Sequence, residues 1–190
     1  MFGSSWEYSG TDSYKYVEKL IKQGKQVFIV SPYIDLYYAK FLLRNSVGKH
    51  ISIISSSIDG KAERLLSRGS FPGKTLAMLI ILAGLNYLTY EIGMGISALL
   101  SLLPVLIFIT ILLAVVFAYK LRHSKPEGIK LKIPKEFVHA KFYVNEKTAI
   151  SGSANLTYRG MHKNIEHLEI SNDPDYVKKL KAEFWRMWNV

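Results

Sequence analysis

The spacing of hydrophobic positions changes several times along the chain, and each change marks an element. Tyr14, Val17, Leu20 and Ile21 recur at helical spacing behind the capping triplet Thr11-Asp12-Ser13, and this stripe ends before Gly24. Val27 to Val30 is a continuous apolar run, which predicts a buried strand closed by Ser31-Pro32-Tyr33. Leu36 to Leu43 predicts a helix stopped by Asn45 and Gly48, and His50 to Ser55 a second strand. Ala62 to Leu66 opens a short basic helix carrying Lys61, Arg64 and Arg68. Strands and helices in this rhythm predict a parallel or mixed sheet covered by helices.

From Thr75 to Tyr119 the pattern is lost to an almost uniformly apolar stretch, in which Glu91 is the one ionisable group besides tyrosines. A helix needs about 20 apolar residues to cross a bilayer. Residues 74–120 are therefore expected to form a transmembrane hairpin, its two spans joined by a tight turn around Glu91 to Gly95. Gly93, Ser97 and Ser101 stand four apart, the small-residue spacing that lets membrane helices approach. Lys61, Arg64, Arg68 and Lys74 precede the hairpin, and Lys120, Arg122 and Lys125 follow it. That bias places both flanks in the cytoplasm and the protein in the cell membrane with two spans. Residues 1–73 and 121–190 then form the two halves of one domain. The rival reading is an apolar helical insert buried in a water-soluble core.

Beyond the hairpin, Ile129, Leu131 and Ile133 alternate with Lys130 and Lys132 in a strand ended by Pro134. Val138 to Val144 alternates too, which puts His139 and Lys141 side by side on one surface of the sheet. The run Thr148 to Ile150 delivers Gly152, Ser153 and Asn155 at its end. An imidazole, an ammonium and several neutral donors converging on one point suit a phosphate, and a glycine lets backbone approach such a ligand. His167 to Ser171 predicts a last strand. Asp173-Pro174 then starts a final helix with Val177, Leu180, Phe184 and Trp188 on its apolar face.

At 190 residues the chain suffices for one α/β domain. Its formal net charge of +10, from 25 Lys+Arg against 15 Asp+Glu, favours polyanionic partners: nucleic acid or an anionic membrane face. The plain alternative is solvating charge. With no cysteine, disulfides and thiolate metal sites are excluded. The first ten residues lack a basic segment followed by an apolar one, so no cleaved signal peptide is expected.

His139-Ala-Lys141 followed by Gly152-Ser153-Ala-Asn155 resembles the H-x-K and G-S-x-N signature of the phospholipase D superfamily. Asn164-Ile-Glu166 resembles the N-x-E that follows it in the short, single-motif members. The family's Asp is absent, with Asn145 or Glu146 nearest its place, and the spacer to Gly152 is one residue short. The resemblance implies an α/β fold, a mixed sheet with flanking helices, here interrupted by the two-helix hairpin. It covers the chain outside the hairpin loosely in the first half and tightly after Val138.

That resemblance further implies hydrolysis of phosphodiesters with His139 as nucleophile, through a phosphohistidine. Lys141, Ser153 and Asn155 would stabilise the phosphoryl oxygens, and Glu166 would accept from the second ring nitrogen of a histidine. Gly152, Asn164, Tyr33 and Glu146 are the candidate substrate-binding residues. One motif per chain implies a homodimer, whose second histidine supplies the proton for the leaving oxygen. No cofactor and no metal is expected. Taken singly, Lys141 reads equally as a solvated lysine, Ser153 and Asn155 as a turn, and Tyr33 as a packed ring. His50, His123 and His162 are treated as non-functional. Nucleic acid is the preferred substrate, with membrane phospholipid second and a catalytically silent, membrane-tethered polyanion-binding adaptor third.

Overall fold

The computed structural model describes residues 4–68, 73–93, 103–122 and 128–190. The chain divides into two compact units, Met1–Gly69 with Pro126–Val190, and Ser70–Lys125. Strands of the first unit are β1 (Ser5–Gly10), β2 (Gln26–Val30), β3 (Tyr33–Ile34), β4 (His50–Ile54) and β5 (Ser57–Ile58), then β6 (Ile129–Lys132), β7 (Phe142–Val144), β8 (Ala149–Gly152) and β9 (Glu166–Ser171). Its helices are α1 (Tyr14–Gln23), α2 (Leu36–Arg44) and α3 (Gly60–Arg68), followed after the second unit by α6 (Tyr158–His162) and α7 (Pro174–Trp188).

Seven strands form one mixed sheet in the order β1-β9-β8-β7-β2-β4-β6. β2, β4 and β6 run parallel, whereas β7, β8, β9 and β1 each pair antiparallel with their neighbours. Alternating side chains of the central strands feed two cores, one on each face. Val27, Ile29, Ile51, Ile53, Tyr143 and Ile150 pack with α1, α2 and α3 through Val17, Ile21, Tyr38, Leu42 and Leu66. Phe28, Val30, Phe142 and Val144 pack on the opposite face with Val177 and Phe184 of α7. This is a three-layer α/β sandwich, a large mixed sheet with helices flanking both faces.

Several elements depart from the sequence pattern. The strand expected over 138–144 is regular only from Phe142, and Phe142, Tyr143 and Val144 are all buried. A central strand covered on both faces needs apolar residues at every position, so alternation fails there. β1 was not anticipated, although Trp6 and Tyr8 alternate with Ser5, Glu7 and Ser9; it is an edge strand paired to β9. The short α6, capped by Thr157 Oγ1 accepting from Gly160 N at 3.0 Å, was also not anticipated, nor was the β3/β5 pair. Asp173 caps α7 as its sequence predicts, its carboxylate accepting from Asp175 N at 2.9 Å.

The second unit holds helices α4 (Gly73–Gly93) and α5 (Leu103–Arg122), which pack on one another. Asn86 Nδ2 donates to Thr110 Oγ1 at 2.7 Å between them. Large apolar side chains such as Ile80, Ile81, Phe108 and Val115 are exposed on these helices. Among the described residues, no helix is long and apolar enough to cross a membrane. This overturns the expected two-span transmembrane hairpin, and with it the multi-pass cell-membrane localisation. Ser97, Ser101, His123, Lys125 and the expected turn beyond Gly93 lie outside the described residues.

Candidate functional site

Backbone connections inside the first unit bring the motif residues together. β7 and β8 are adjacent antiparallel strands, so the segment entering β7, His139 to Lys141, lies beside the segment leaving β8, Gly152 to Asn155. Gly152 N donates to Lys141 O at 3.2 Å, and Ser153 N to His167 O at 3.0 Å. The entering segment is also fixed from the other side of the sheet. Ser56 Oγ accepts from Val138 N at 2.7 Å and donates to Val138 O at 3.2 Å.

His139 is exposed, and Lys141 Nζ lies 3.1 Å from its Nε2 and 2.8 Å from its carbonyl oxygen. An ammonium can only donate, so Nε2 is the ring nitrogen with the free lone pair, and the ring proton sits on Nδ1. Burial pushes the Lys141 pKa below its ordinary value, and the negative charge of Glu166 opposes that shift. Glu166 is buried and held by two donors, the Ser153 hydroxyl on Oε2 and Asn164 Nδ2 on Oε1 at 3.1 Å. Ser153 Oγ in turn accepts from His167 N at 3.0 Å. The single proton of Ser153 is thus committed to Glu166. Among the described residues the partners of the Glu166 carboxylate are Ser153 and Asn164, where a histidine ring nitrogen was expected.

The turn after Ser153 is braced from the core. Tyr143 is fully buried and its hydroxyl donates to Ala154 O at 2.8 Å. Burial pushes the Tyr143 phenol far above its ordinary range, so it stays a neutral donor. Leu156 N donates to Ser31 Oγ at 2.9 Å, Ser31 Oγ donates to Tyr33 O at 2.9 Å, and Ile34 bridges to Leu156. These links set Asn155 between two anchored neighbours. Asn155 Oδ1 is buried and, among the described residues, has no hydrogen-bond partner. The same links bring Tyr33 to the site, its ring 43% exposed.

Two candidate substrate-binding residues sit in other roles. Glu146 lies at the far end of β7 from His139, where its carboxylate accepts from Lys25 N at 2.8 Å and Gln26 N at 2.5 Å. Burial opposes its ionisation, but those amides outweigh it and hold the pKa below the ordinary carboxylate value. Glu146 therefore fastens the turn after β7 to the start of β2. Asn145, the other candidate for the missing Asp, is buried and bonds Leu20 O, Lys147 N and Thr148 N. Gly152 is required by its neighbour strand, because a Cβ there would collide with the carbonyl of His167.

Sequence reasoning also passed over residues that the fold brings to the site. Phe137 is 57% exposed, with its ring 6.2 Å from that of His139 and 6.0 Å from that of Tyr33. An aromatic two positions before a motif histidine is its only signal in the chain. A cavity of about 660 Å³ borders His139 and is lined by Ile133, Val138, Met187 and the basic Lys132, Lys135 and Arg186, among others. His162, by contrast, is enclosed by aromatic rings, stacked on Tyr14 at 4.2 Å and Tyr158 at 4.7 Å. Among the described residues no cluster of three or more His, Asp or Glu could hold a metal ion.

A family model described as "Cardiolipin synthase, PLD-like domain" matches residues 114–188, the part that holds β6 to β9 and the whole H-x-K/G-S-x-N signature. No curated protein matches the sequence. Among solved structures, NucT from Helicobacter pylori superposes with a TM-score of 0.56 at 13% identity, over 98% of this chain and 96% of that one. Nuc from Salmonella typhimurium, described as a phospholipase D family member, gives 0.53 at 16% identity, over 98% and 95%. A polyphosphate kinase from Porphyromonas gingivalis gives 0.53 at 11%, with this chain spanning 26% of its length. At such identities the superpositions speak to the fold, and the family match speaks to the strands and turns that build the site. Residues 114–188 thus match a phospholipase D-like family model, and the chain is similar in fold to NucT and to Nuc, a phospholipase D family member.

Proposed function

We propose that this chain is a phosphodiesterase that hydrolyses phosphodiester bonds through a phosphohistidine on His139. The observation that carries the reading is the 3.1 Å contact between Lys141 Nζ and His139 Nε2, on an exposed edge beside Asn155. A neutral imidazole is not repelled by an anionic diester, and the adjacent ammonium draws that diester to it. In the first step the Nε2 lone pair forms the N–P bond while the bond to the leaving oxygen breaks. In the second, water attacks phosphorus, loses its proton to a general base, and the N–P bond breaks.

Lys141 moves from Nε2 to the non-bridging oxygens as the diester enters, and Asn155 offers its amide there. Loss of one such preorganised donor costs about 10²–10³ in rate. Glu166, with Ser153 and Asn164 on its two oxygens, supports the positive charge of Lys141 against burial. The leaving oxygen takes its proton from a second imidazole, His139 of another copy in a homodimer, which afterwards serves as the base for water.

Nucleic acid is the substrate this reading favours. It is supported by the net charge of +10 and by the full-length likeness to two proteins named NucT and Nuc. A phospholipid headgroup is the second reading, favoured by the family model's description and by the partly apolar cavity bordering His139. The test is turnover on single-stranded DNA, RNA, duplex DNA and phospholipid in parallel, with wild type and His139→Asn. Wild-type turnover that leaves an acid-quenched phosphohistidine, absent from the variant, is the expected result. Equal turnover by both proteins would refute the nucleophile. Binding of polyanions without turnover of any of these substrates would leave the adaptor as the function.

A further inference from the structure

We propose that Tyr33 and Phe137 form a stacking ledge for nucleobases beside the phosphate site, which makes single-stranded nucleic acid the preferred substrate. The inference rests on the phosphodiesterase reading and deepens it. Large aromatic rings are usually buried in a core or covered by neighbours, because each takes 150–250 Å² of surface out of water. Here two of them stand exposed at 43% and 57%, next to the proposed nucleophile. Their centroids are 6.0 Å apart with planes inclined by 55°, so neither ring covers the other face to face. Phe137 stands 6.2 Å from His139, so a base on its ring lies one side-chain width from the phosphorus that His139 would attack.

The ledge is held by backbone, not by its own packing. Tyr33 sits in β3, paired in register with Ser57 of β5, and the preceding Ser56 clamps Val138 through two hydrogen bonds. Ser31 Oγ, which accepts from Leu156 N, donates to Tyr33 O and so ties Tyr33 to the turn that carries Asn155, while Phe137 lies one residue from the Ser56–Val138 clamp. Both rings are thus carried on the same anchored framework as the catalytic turn. Lys135 lies two residues before Phe137 in the wall of the adjoining cavity, which provides positive charge for a neighbouring phosphate. A basic surface interleaved with exposed rings is the chemistry that binds single strands with little sequence preference, since every base has a π-face. Bases of a duplex are stacked on one another and cannot reach such a ledge.

The test uses the full chain with His139→Asn as background, so that bound oligonucleotide is not consumed. Affinities for oligothymidylate, for an abasic phosphodiester of the same length and for duplex DNA are measured at one fixed salt concentration. Oligothymidylate should bind more tightly than either control. Adding Phe137→Ala should weaken oligothymidylate by about 5- to 150-fold, as for loss of one stacked base, with little change for the abasic strand. Tyr33→Ala should act in the same direction, and Phe137→Trp should restore binding. An equal loss on the abasic strand, or equal affinities of the unmodified ledge for all three ligands, would overturn the ledge. In the His139-intact protein, cleavage of DNA with a KM indifferent to Phe137→Ala would refute the ledge and leave the phosphodiesterase standing. Turnover of phospholipid with no oligonucleotide bound would refute the nucleic-acid reading itself.

Discussion

Replacing Tyr143 by Phe removes one oxygen from the fully buried strut under the Ser153–Asn155 turn. Phe fills the same volume, so no cavity of consequence opens, and the loss is the bond from the Tyr143 hydroxyl to Ala154 O. The carbonyl is left unsatisfied in a buried setting, which costs about 1–3 kcal/mol at pH 7. For a chain of this size each 1 kcal/mol lowers Tm by about 2–4 °C. Ala154 stands between Ser153 and Asn155, so the same change should also lower kcat by loosening Asn155. The deficit has a distinct pH dependence. Burial raises the Tyr143 pKa in the folded protein, so the folded state keeps a proton that the unfolded chain loses near pH 10. Its contribution is fully present below that pH and is lost as pH rises. At pH 11 the wild type should have given up about 1.4 kcal/mol through this one group, which the Phe variant cannot lose. Denaturant unfolding of both proteins at pH 7, 9 and 11 measures the difference. A gap that is absent at pH 7, or that stays constant to pH 11, would refute the strut.

Glu166→Gln should shift the alkaline limb of the activity profile to lower pH. Burial already depresses Lys141, and the variant loses the carboxylate that opposes it, so Lys141 gives up its charge sooner; an unmoved limb in a kcat/KM–pH series would count against this coupling. Glu146→Gln should cost about 1 kcal/mol at neutral pH, below the usual range for a charge-assisted bond because this carboxylate is exposed and screened by solvent. The depressed pKa means this contribution is present above the ordinary carboxylate value and disappears as pH falls through the folded one, so the variants should converge in acid unfolding curves. A dimer forced to pair one wild-type chain with one His139→Asn chain should show far less than half the wild-type turnover, since each reaction needs both imidazoles; half activity, or full activity from a monomer, would place the acid within the chain. Turnover should persist in excess chelator, because Lys141 Nζ, 3.1 Å from His139 Nε2, repels a cation from the reacting position; loss on chelation with rescue by a divalent ion would show otherwise.

The sequence alone determined what depends on local spacing. The continuous apolar run Val27 to Val30 reads as a buried strand, and Phe28 and Val30 do pack against α7 while Val27 and Ile29 pack against α1 to α3. The stripe of α7 and its Asp173-Pro174 start were legible for the same reason, since a cap and a 3.6-residue period are properties of neighbouring residues. So was the resemblance to the phospholipase D superfamily, because His139, Lys141, Gly152, Ser153, Asn155, Asn164 and Glu166 stand in motif order. Tertiary structure decided what those residues touch. Glu166 met Ser153 because β8 and β9 pair in a register that sequence does not state, and the same pairing explains why position 152 tolerates only glycine. Glu146 was near the motif in sequence but at the wrong end of a strand, where two amides of the neighbouring segment claim it. The apolar stretch after Thr75 predicted helices correctly, but among the described residues no helix is long and apolar enough to cross a membrane. Phe137 and Tyr33 are over a hundred residues apart, and only the clamp from Ser56 to Val138 and the pairing of β3 with β5 put their rings at one site.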